Sequence, residues 1–532
     1  MNSSALGNEP EHTPSANTSS GRASTMTTAA RIALAVVLTG ELMSILDDSV
    51  VLTVMPTLQR SLGAGPAVVQ WLTAGYALTF ALGLITGGRL GDLYGRRRVF
   101  LLGTAGFTLA SLLCGFATGP GMLIAARVLQ GGAAAVMIPQ VLATLHVTFG
   151  GANRSRAFGL YGAILSMGSV VGPVLGGVLT EADLFGLSWR PIFLINIPVG
   201  LVVLVLGRKF IIESTAAKAD RLDLAGVLLS AIAMVLLVFP LTEGHAHGWP
   251  LWCFAMLAGG VLVLGVFLRH QRRRRYDSPL IALSLFKDKQ FSGGLSAQLI
   301  MALLCGLLFL TWSLYLQHGL GMSPLMAAAA FTLLALGELA GAMTATKTAG
   351  RFARRLPQTG ALIALAATAA YGIQVGSGQA ELTLLAMAAP VVLLGFGFGL
   401  IGGPIADLSL AKVSHERAGS ASGLFNTALQ LGYAVGIALA GPVFFAATGG
   451  ASTSALNRDA FTGVLCWVGV ASTVLWGLMF CLPRRANSAA ERVRYFMSRS
   501  KPSSGSSAPS WPSARKSAST AERASCPART AR

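Results

Sequence analysis

Three carboxylates fall within one apolar stretch: Glu41, Asp47 and Asp48 all lie in Ile32–Pro56. An acid group taken out of water must be paired, be solvated by a cavity, or bind a proton. One that faces a cavity can therefore load and release a proton in cycles. Glu41 and Asp48 are seven residues apart, close to two helical turns, and share one stripe about 10 Å long; Asp47 lies about 100° round the helix from it. Arg127 stands in a second apolar stretch, Met122–Leu145. A guanidinium there costs roughly 3 kcal/mol or more unless paired or wet, so it is expected to face the interior of a bundle. Glu338 lies in a third stretch, Leu325–Lys347, just after the apolar run Phe331 to Leu336, where it can share one cavity with the first-span acids.

Other chemistry finds little support. The phosphate-cradling G-x-x-x-x-G-K-[ST] is absent, which argues against ATP as energy source. Cys114, Cys253, Cys305, Cys466, Cys481 and Cys526 form no C-x-x-C pair, and no Ser-His-Asp or zinc spacing stands out. His245 and His247 flank Ala246 in a polar connection and read as solvated. No enzymatic activity, cofactor or metal is expected. Basic residues outnumber acidic ones by 19, but they form short runs between apolar stretches, with no basic stripe interleaved with aromatics; nucleic acid is not an expected partner.

These residues need elements to position them, and composition says which. Hydrophobic residues make up 53% of the chain and charged ones 11%, against roughly 25% charged in a soluble domain. Fourteen runs are long enough to span a bilayer, which takes about 20 apolar residues. They are Ile32–Pro56, Val68–Leu90, Val99–Phe116, Met122–Leu145, Phe158–Leu179, Ile192–Ile212, Leu222–Thr242, Leu251–Leu268, Gly294–Leu316, Leu325–Lys347, Gln358–Val375, Leu382–Leu408, Leu424–Phe445 and Phe461–Leu482. With the N-terminus inside, the inward connections and their edges carry 23 Lys and Arg, and the outward ones only Arg60, Arg190 and Arg458. That bias predicts both termini in the cytoplasm.

A repeat runs through the chain. Gly168, Gly172, Gly176 and Gly177 of the fifth span are echoed 264 residues on by Gly432, Gly436, Ala440 and Gly441 of the thirteenth. The repeat pairs spans one to six with nine to fourteen and leaves seven and eight inserted between two halves.

Five motifs carry a resemblance. The connection Gly88-Arg-Leu-Gly-Asp-Leu-Tyr-Gly-Arg-Arg-Arg98 resembles the signature loop of the major facilitator superfamily, G-x-L-x-D-x-x-G-R-R. Its Gly88, Gly91 and Gly95 permit a tight turn and close helix approach, and Asp92 with Arg96 suits a gate that meets a helix N-terminus or a basic partner. Leu123 to Gly131, centred on Arg127, resembles the family's second motif. Gly159, Gly168, Gly172, Pro173, Gly176 and Gly177 resemble the motif that marks antiporters. Trp189 to Gly200 is similar to the signature of the fourteen-helix drug:proton antiporter group, with Asp223–Gly226, Pro279–Phe286, Leu314–Gln317 and Ala421–Asn426 as further family-like stretches. Leu46–Pro56 resembles the family's L-D-x-T-x-V-N-V-A-L-P, but Leu52 stands where the family has asparagine.

The resemblance implies an all-α membrane protein of the major facilitator fold: fourteen transmembrane helices, as two six-helix halves plus two inserted helices. The expected organisation is a disordered cytoplasmic arm (1–30), an N-terminal half (31–212), the inserted pair with a basic loop (213–290), a C-terminal half (291–483) and a disordered basic tail (484–532). It also implies proton-driven efflux of lipophilic, basic small molecules across the inner (plasma) membrane by a monomer, its basic loops and tail against membrane lipid. Asp47 is the first choice for proton coupling, with Glu41, Asp48, Arg127 and Glu338 about the same cavity. Two alternatives stay open: a dedicated exporter of one self-made metabolite, and a non-transporting membrane enzyme or sensor.

Overall fold

A helix is the one element that satisfies all its backbone groups within a single apolar segment, so long apolar runs in lipid become helices. The computed structural model describes residues 26–149, 151–215, 223–245, 247–274, 283–352, 354–377, 383–410, 413, 418–448 and 453–482. Among them fourteen helices are long and apolar enough to cross a membrane: α1 Thr28–Leu62, α2 Ala67–Tyr94, α3 Arg96–Gly115, α4 Pro120–Thr148, α5 Leu160–Glu181, α6 Pro191–Phe210, α7 Leu224–Glu243, α8 Leu251–Arg273, α9 Lys289–Gly319, α10 Pro324–Thr348, α11 Arg355–Gly376, α12 Leu384–Leu410, α13 Ala421–Phe445 and α14 Ser454–Cys481. No strand occurs among the described residues. Most of the arm, the whole tail beyond Leu482, Arg275, Pro279, Lys412 and Arg417 lie outside the described residues, and at Arg154 and Gly159 only the backbone is described.

Each expected stretch has its helix. The first is longer than expected: α1 passes through Pro56 and ends at Gly63, whose left-handed backbone (φ 59°) turns the chain. Proline leaves the carbonyl four residues earlier without its donor. Here that carbonyl belongs to Leu52, and the Ser313 hydroxyl of α9 donates to it at 2.6 Å.

The same pairing recurs in both halves. In the first, α1 packs on α5 and α6, α2 on α4, and α3 on α4 and α6; in the second, α9 packs on α13 and α14, α10 on α12, and α11 on α12 and α14. The glycine repeat marks equivalent contacts: a side chain at Gly168 would meet Ile45 of α1, and one at Gly432 would meet Ala302 of α9. The halves touch along two seams, α2 against α13 and α5 against α10.

α7 and α8 pair with each other, and α7 lies on α2 and α13. Asp223 begins α7, accepting from the Gly226 N–H at 3.0 Å, and ties it to the end of α8 through His270 (2.9 Å), Gln271 (2.8 Å) and Arg274 (3.1 Å). Burial pushes the Asp223 carboxyl up, but the hydrogen bonds from His270, Gly226 and Gln271 outweigh it and hold the group below its ordinary range.

Candidate functional site

One large cavity, about 870 Å³, lies between the halves. Glu41, Ser44, Ile45, Asp48, Ser49 and Leu52 of α1 form one of its walls, at the three- and four-residue spacing of a single helix face. Glu338 stands in the lining contributed by α10, and Tyr76, Phe80, Tyr161, Phe309, Phe331 and Tyr433 supply aromatic surface. The cavity reaches the end of the bundle where Gly88, Arg89, Asp92 and Arg96 lie. That volume falls in the range of sites for drug-sized ligands. Tyr161 donates to Glu41 Oε1 at 3.3 Å, while Glu41 Oε2 is buried with no hydrogen-bond partner in the structure.

Asp47 and Arg127 are not part of that lining. They form an ion pair at 2.5 Å with both side chains sealed from solvent. Gln130 and Asn196 donate to the other Asp47 oxygen at 2.7 and 2.9 Å. Arg127 donates further to Gln130 Oε1 (2.8 Å) and the Leu72 carbonyl (3.0 Å), and its guanidinium lies 4.3 Å from the Tyr76 ring centre. One carboxylate thus joins α1, α4 and α6 and, through Arg127, α2. Such a pair, with its lone pairs and protons mostly used, meets the condition under which a buried charge is tolerable.

The far end of the cavity is closed. Ser313 donates to the Leu52 carbonyl there, and Gln317 to that of Thr53 at 2.8 Å, so α9 is bonded to α1 across the two halves. On the α5–α10 seam a side chain at Gly177 would meet the Leu325 backbone and Ala328. Gly168, Gly172 and Gly176 face α1 at Ile45, Ser49 and Val50, the close approach expected of the ladder; Pro173 lies in the cavity wall.

At the open end Gly95 takes φ 103°, a backbone shape that a residue with a Cβ rarely adopts. Asp92 and Arg96 pair with each other at 2.7 Å. The helix N-terminus beside them is held instead by Glu213, whose carboxylate accepts from the Arg97 N–H (3.0 Å) and the Arg98 N–H (3.3 Å) at the start of α3. A side chain at Gly91 would meet Gln140 of α4, and one at Gly88 would only touch Pro139.

The model of the family described as Major Facilitator Superfamily matches residues 37–437. The chain belongs to that superfamily. Among curated relatives, the "Probable actinorhodin transporter" of Streptomyces coelicolor is 38% identical over 80% of this chain and 75% of its own. The cephamycin export protein of Amycolatopsis lactamdurans is 35% identical over 86% and 94%. A bacterial homologue of the human lysosomal transporter Spinster, solved inward-facing and unoccupied, shares the fold at TM-score 0.61 and 16% identity, covering 86% of this chain and 98% of that one.

Within this multi-pass member of the superfamily, the expected grouping of five charged residues about one cavity divides in two. Glu41, Asp48 and Glu338 line the cavity; Asp47 and Arg127 are corrected to a closed network behind its wall, because the 100° that separates Asp47 from the acid stripe turns it toward α4 and α6. Of the two partners open to Asp92, a helix N-terminus or a basic group, the structure supplies the basic one, Arg96, while the helix end is filled by Glu213. Residue-type reading passed over Gln130, Asn196 and Glu213. The first two carried a signal, as amides inside apolar spans; Glu213, in a polar connection, carried none.

Proposed function

We propose that this chain exports a lipophilic, basic small molecule in exchange for protons by alternating access. The observation that carries the reading is that three carboxylates, Glu41, Asp48 and Glu338, none of them in a close ion pair among the described residues, share one largely apolar, aromatic-walled cavity. A cationic amphiphile and protons compete for such groups: protons neutralise the site as substrate leaves, and substrate binding favours proton release. The distribution of Lys and Arg puts the open mouth, the arm 1–30 and the tail 484–532 in the cytoplasm of a plasma-membrane protein. The half 31–212 then rocks against 291–483, with 213–290 between them and membrane lipid around a monomer. The driving force is the proton gradient, with no cofactor and no covalent step.

The relatives support export, since both carry transport or export in their names. Each also names a single compound, which favours a second reading: a dedicated exporter of one metabolite rather than a multidrug pump. Purified protein in liposomes, with an imposed pH gradient and a panel of fluorescent basic amphiphiles, tests both. Gradient-dependent accumulation of several dyes supports the broad pump. Accumulation of none, with one cellular metabolite carried, supports the dedicated exporter. Equal rates with and without the gradient would refute proton coupling.

A further inference from the structure

The two seams between the halves are built differently, and the difference assigns a part to the inserted helices. By the repeat, Gly177 of α5 and Gly441 of α13 are equivalent positions. Gly177 meets the opposite half directly, at Leu325 and Ala328 of α10. Gly441 meets the opposite half at Gln70 of α2 and, beside it, the Leu241 carbonyl of α7, at 3.1 and 3.3 Å from where its Cβ would stand. A third helix has entered this seam. An apolar cluster seats it: Ala77 and Leu78 of α2, Val238 of α7, and Ala434 and Ala438 of α13.

Gln70 is 1% exposed and makes the polar joint among the three. Turned one way, its amide nitrogen lies 3.4 Å from the carbonyls of Ile437 and Ala438. Pro442 has no N–H for the Ala438 carbonyl four residues earlier, and the chain passes here into a π turn, Gly441–Phe445. Turned the other way, which satisfies both amide atoms, its nitrogen donates to the Thr242 carbonyl of α7 at 3.2 Å and its oxygen accepts the Gly441 N–H. Either orientation ties α2 to the opposite half or to the inserted helix, and the second does both. Next to it the Trp71 indole donates to Glu243 of α7 at 2.8 Å.

We infer that Gln70 is a positioning residue for transport, the latch through which inserted helix α7 holds the closed end of the cavity shut on the α2–α13 seam. Ser313 and Gln317 do the corresponding work between α9 and α1. Opening that end means breaking the Gln70 joint, so α7 sets how readily the halves part. This rests on the transporter reading only in requiring two states.

The test is hydrogen–deuterium exchange on the whole protein in lipid nanodiscs, without substrate, which keeps it separate from any failure of the flux assay. Gln70→Met keeps length and bulk and removes the amide. Expected is exchange roughly 5–10-fold faster in 236–243 and 434–445, the loss of about one buried hydrogen bond, together with slower exchange in 84–98 as the mouth closes. Trp71→Phe with Glu243→Gln should move the same segments in the same directions by less, and serves alone if Gln70→Met does not reach the membrane. Faster exchange at both ends would mean general loosening and overturn the latch. Change confined to 236–243 and 434–445 would make Gln70 a packing residue only. No change anywhere would refute the joint.

Discussion

The Asp47–Arg127 pair separates a structural charge from a transporting one, and Asp47→Asn is the perturbation that shows it. Asparagine fills the same space and keeps an acceptor oxygen but carries no charge, so the Arg127 guanidinium, sealed from solvent, loses its counter-ion and is left with neutral acceptors: the amide oxygens of position 47 and Gln130 and the Leu72 carbonyl. Breaking one side of a buried pair costs about 3–5 kcal/mol, more than most point changes. The double variant Asp47→Asn with Arg127→Gln removes the stranded charge and should recover part of that loss. Glu338→Gln removes an acid exposed in the cavity wall, with no hydrogen bond or ion pair to lose among the described residues, so its stability should stay within about 0.5 kcal/mol of the parent. The assay is thermal unfolding of all four proteins in one detergent, beside gradient-driven flux in liposomes. The expected order is parent, Glu338→Gln, the double variant, then Asp47→Asn, with Glu338→Gln uncoupled from the gradient while folded. If Asp47→Asn is as stable as the parent yet uncoupled, and Glu338→Gln transports normally, proton coupling belongs to Asp47 and not to the cavity acids.

Asp48→Asn and Glu41→Gln, the other two cavity acids, should each reach the membrane and lower gradient-driven accumulation; full accumulation in both would leave Glu338 as sole carrier. Gly172→Leu would drive a side chain into Ser49 and separate α5 from α1, costing roughly 1–3 kcal/mol and abolishing export; normal export would mean the ladder is not a contact surface. Asp92→Asn removes the pair with Arg96 and should cut transport sharply at unchanged membrane level, checked by surface labelling beside flux. Asp223 binds its proton less tightly folded than unfolded, so its clamp on α8 contributes fully above about 3.8, its ordinary value, and is lost as pH falls through the lower folded value. Unfolding followed from pH 7 to 3 should show that loss, and Asp223→Asn should flatten it.

Sequence alone settled the architecture. Apolar runs of spanning length, glycine spacings that recur 264 residues apart and five family motifs were enough for fourteen helices in two halves with a pair between them, because a bilayer leaves a long apolar run no other satisfied structure. It also placed Glu41 and Asp48 on one stripe, since seven residues return to the same helix face, and that stripe is the cavity wall. What it could not decide was which neighbour each face meets. Asp47 differs from Asp48 by one position and 100°, yet that rotation carries it from the cavity to Arg127, Gln130 and Asn196, whose approach depends on how α1, α4 and α6 pack. Glu213 on Arg97 and Arg98, and Gln70 between α13 and α7, are likewise contacts between residues 115 to 371 positions apart in the chain, formed only when the helices come together. Local spacing fixes which way a side chain points; packing at long range decides whether it finds water, lipid or a partner there.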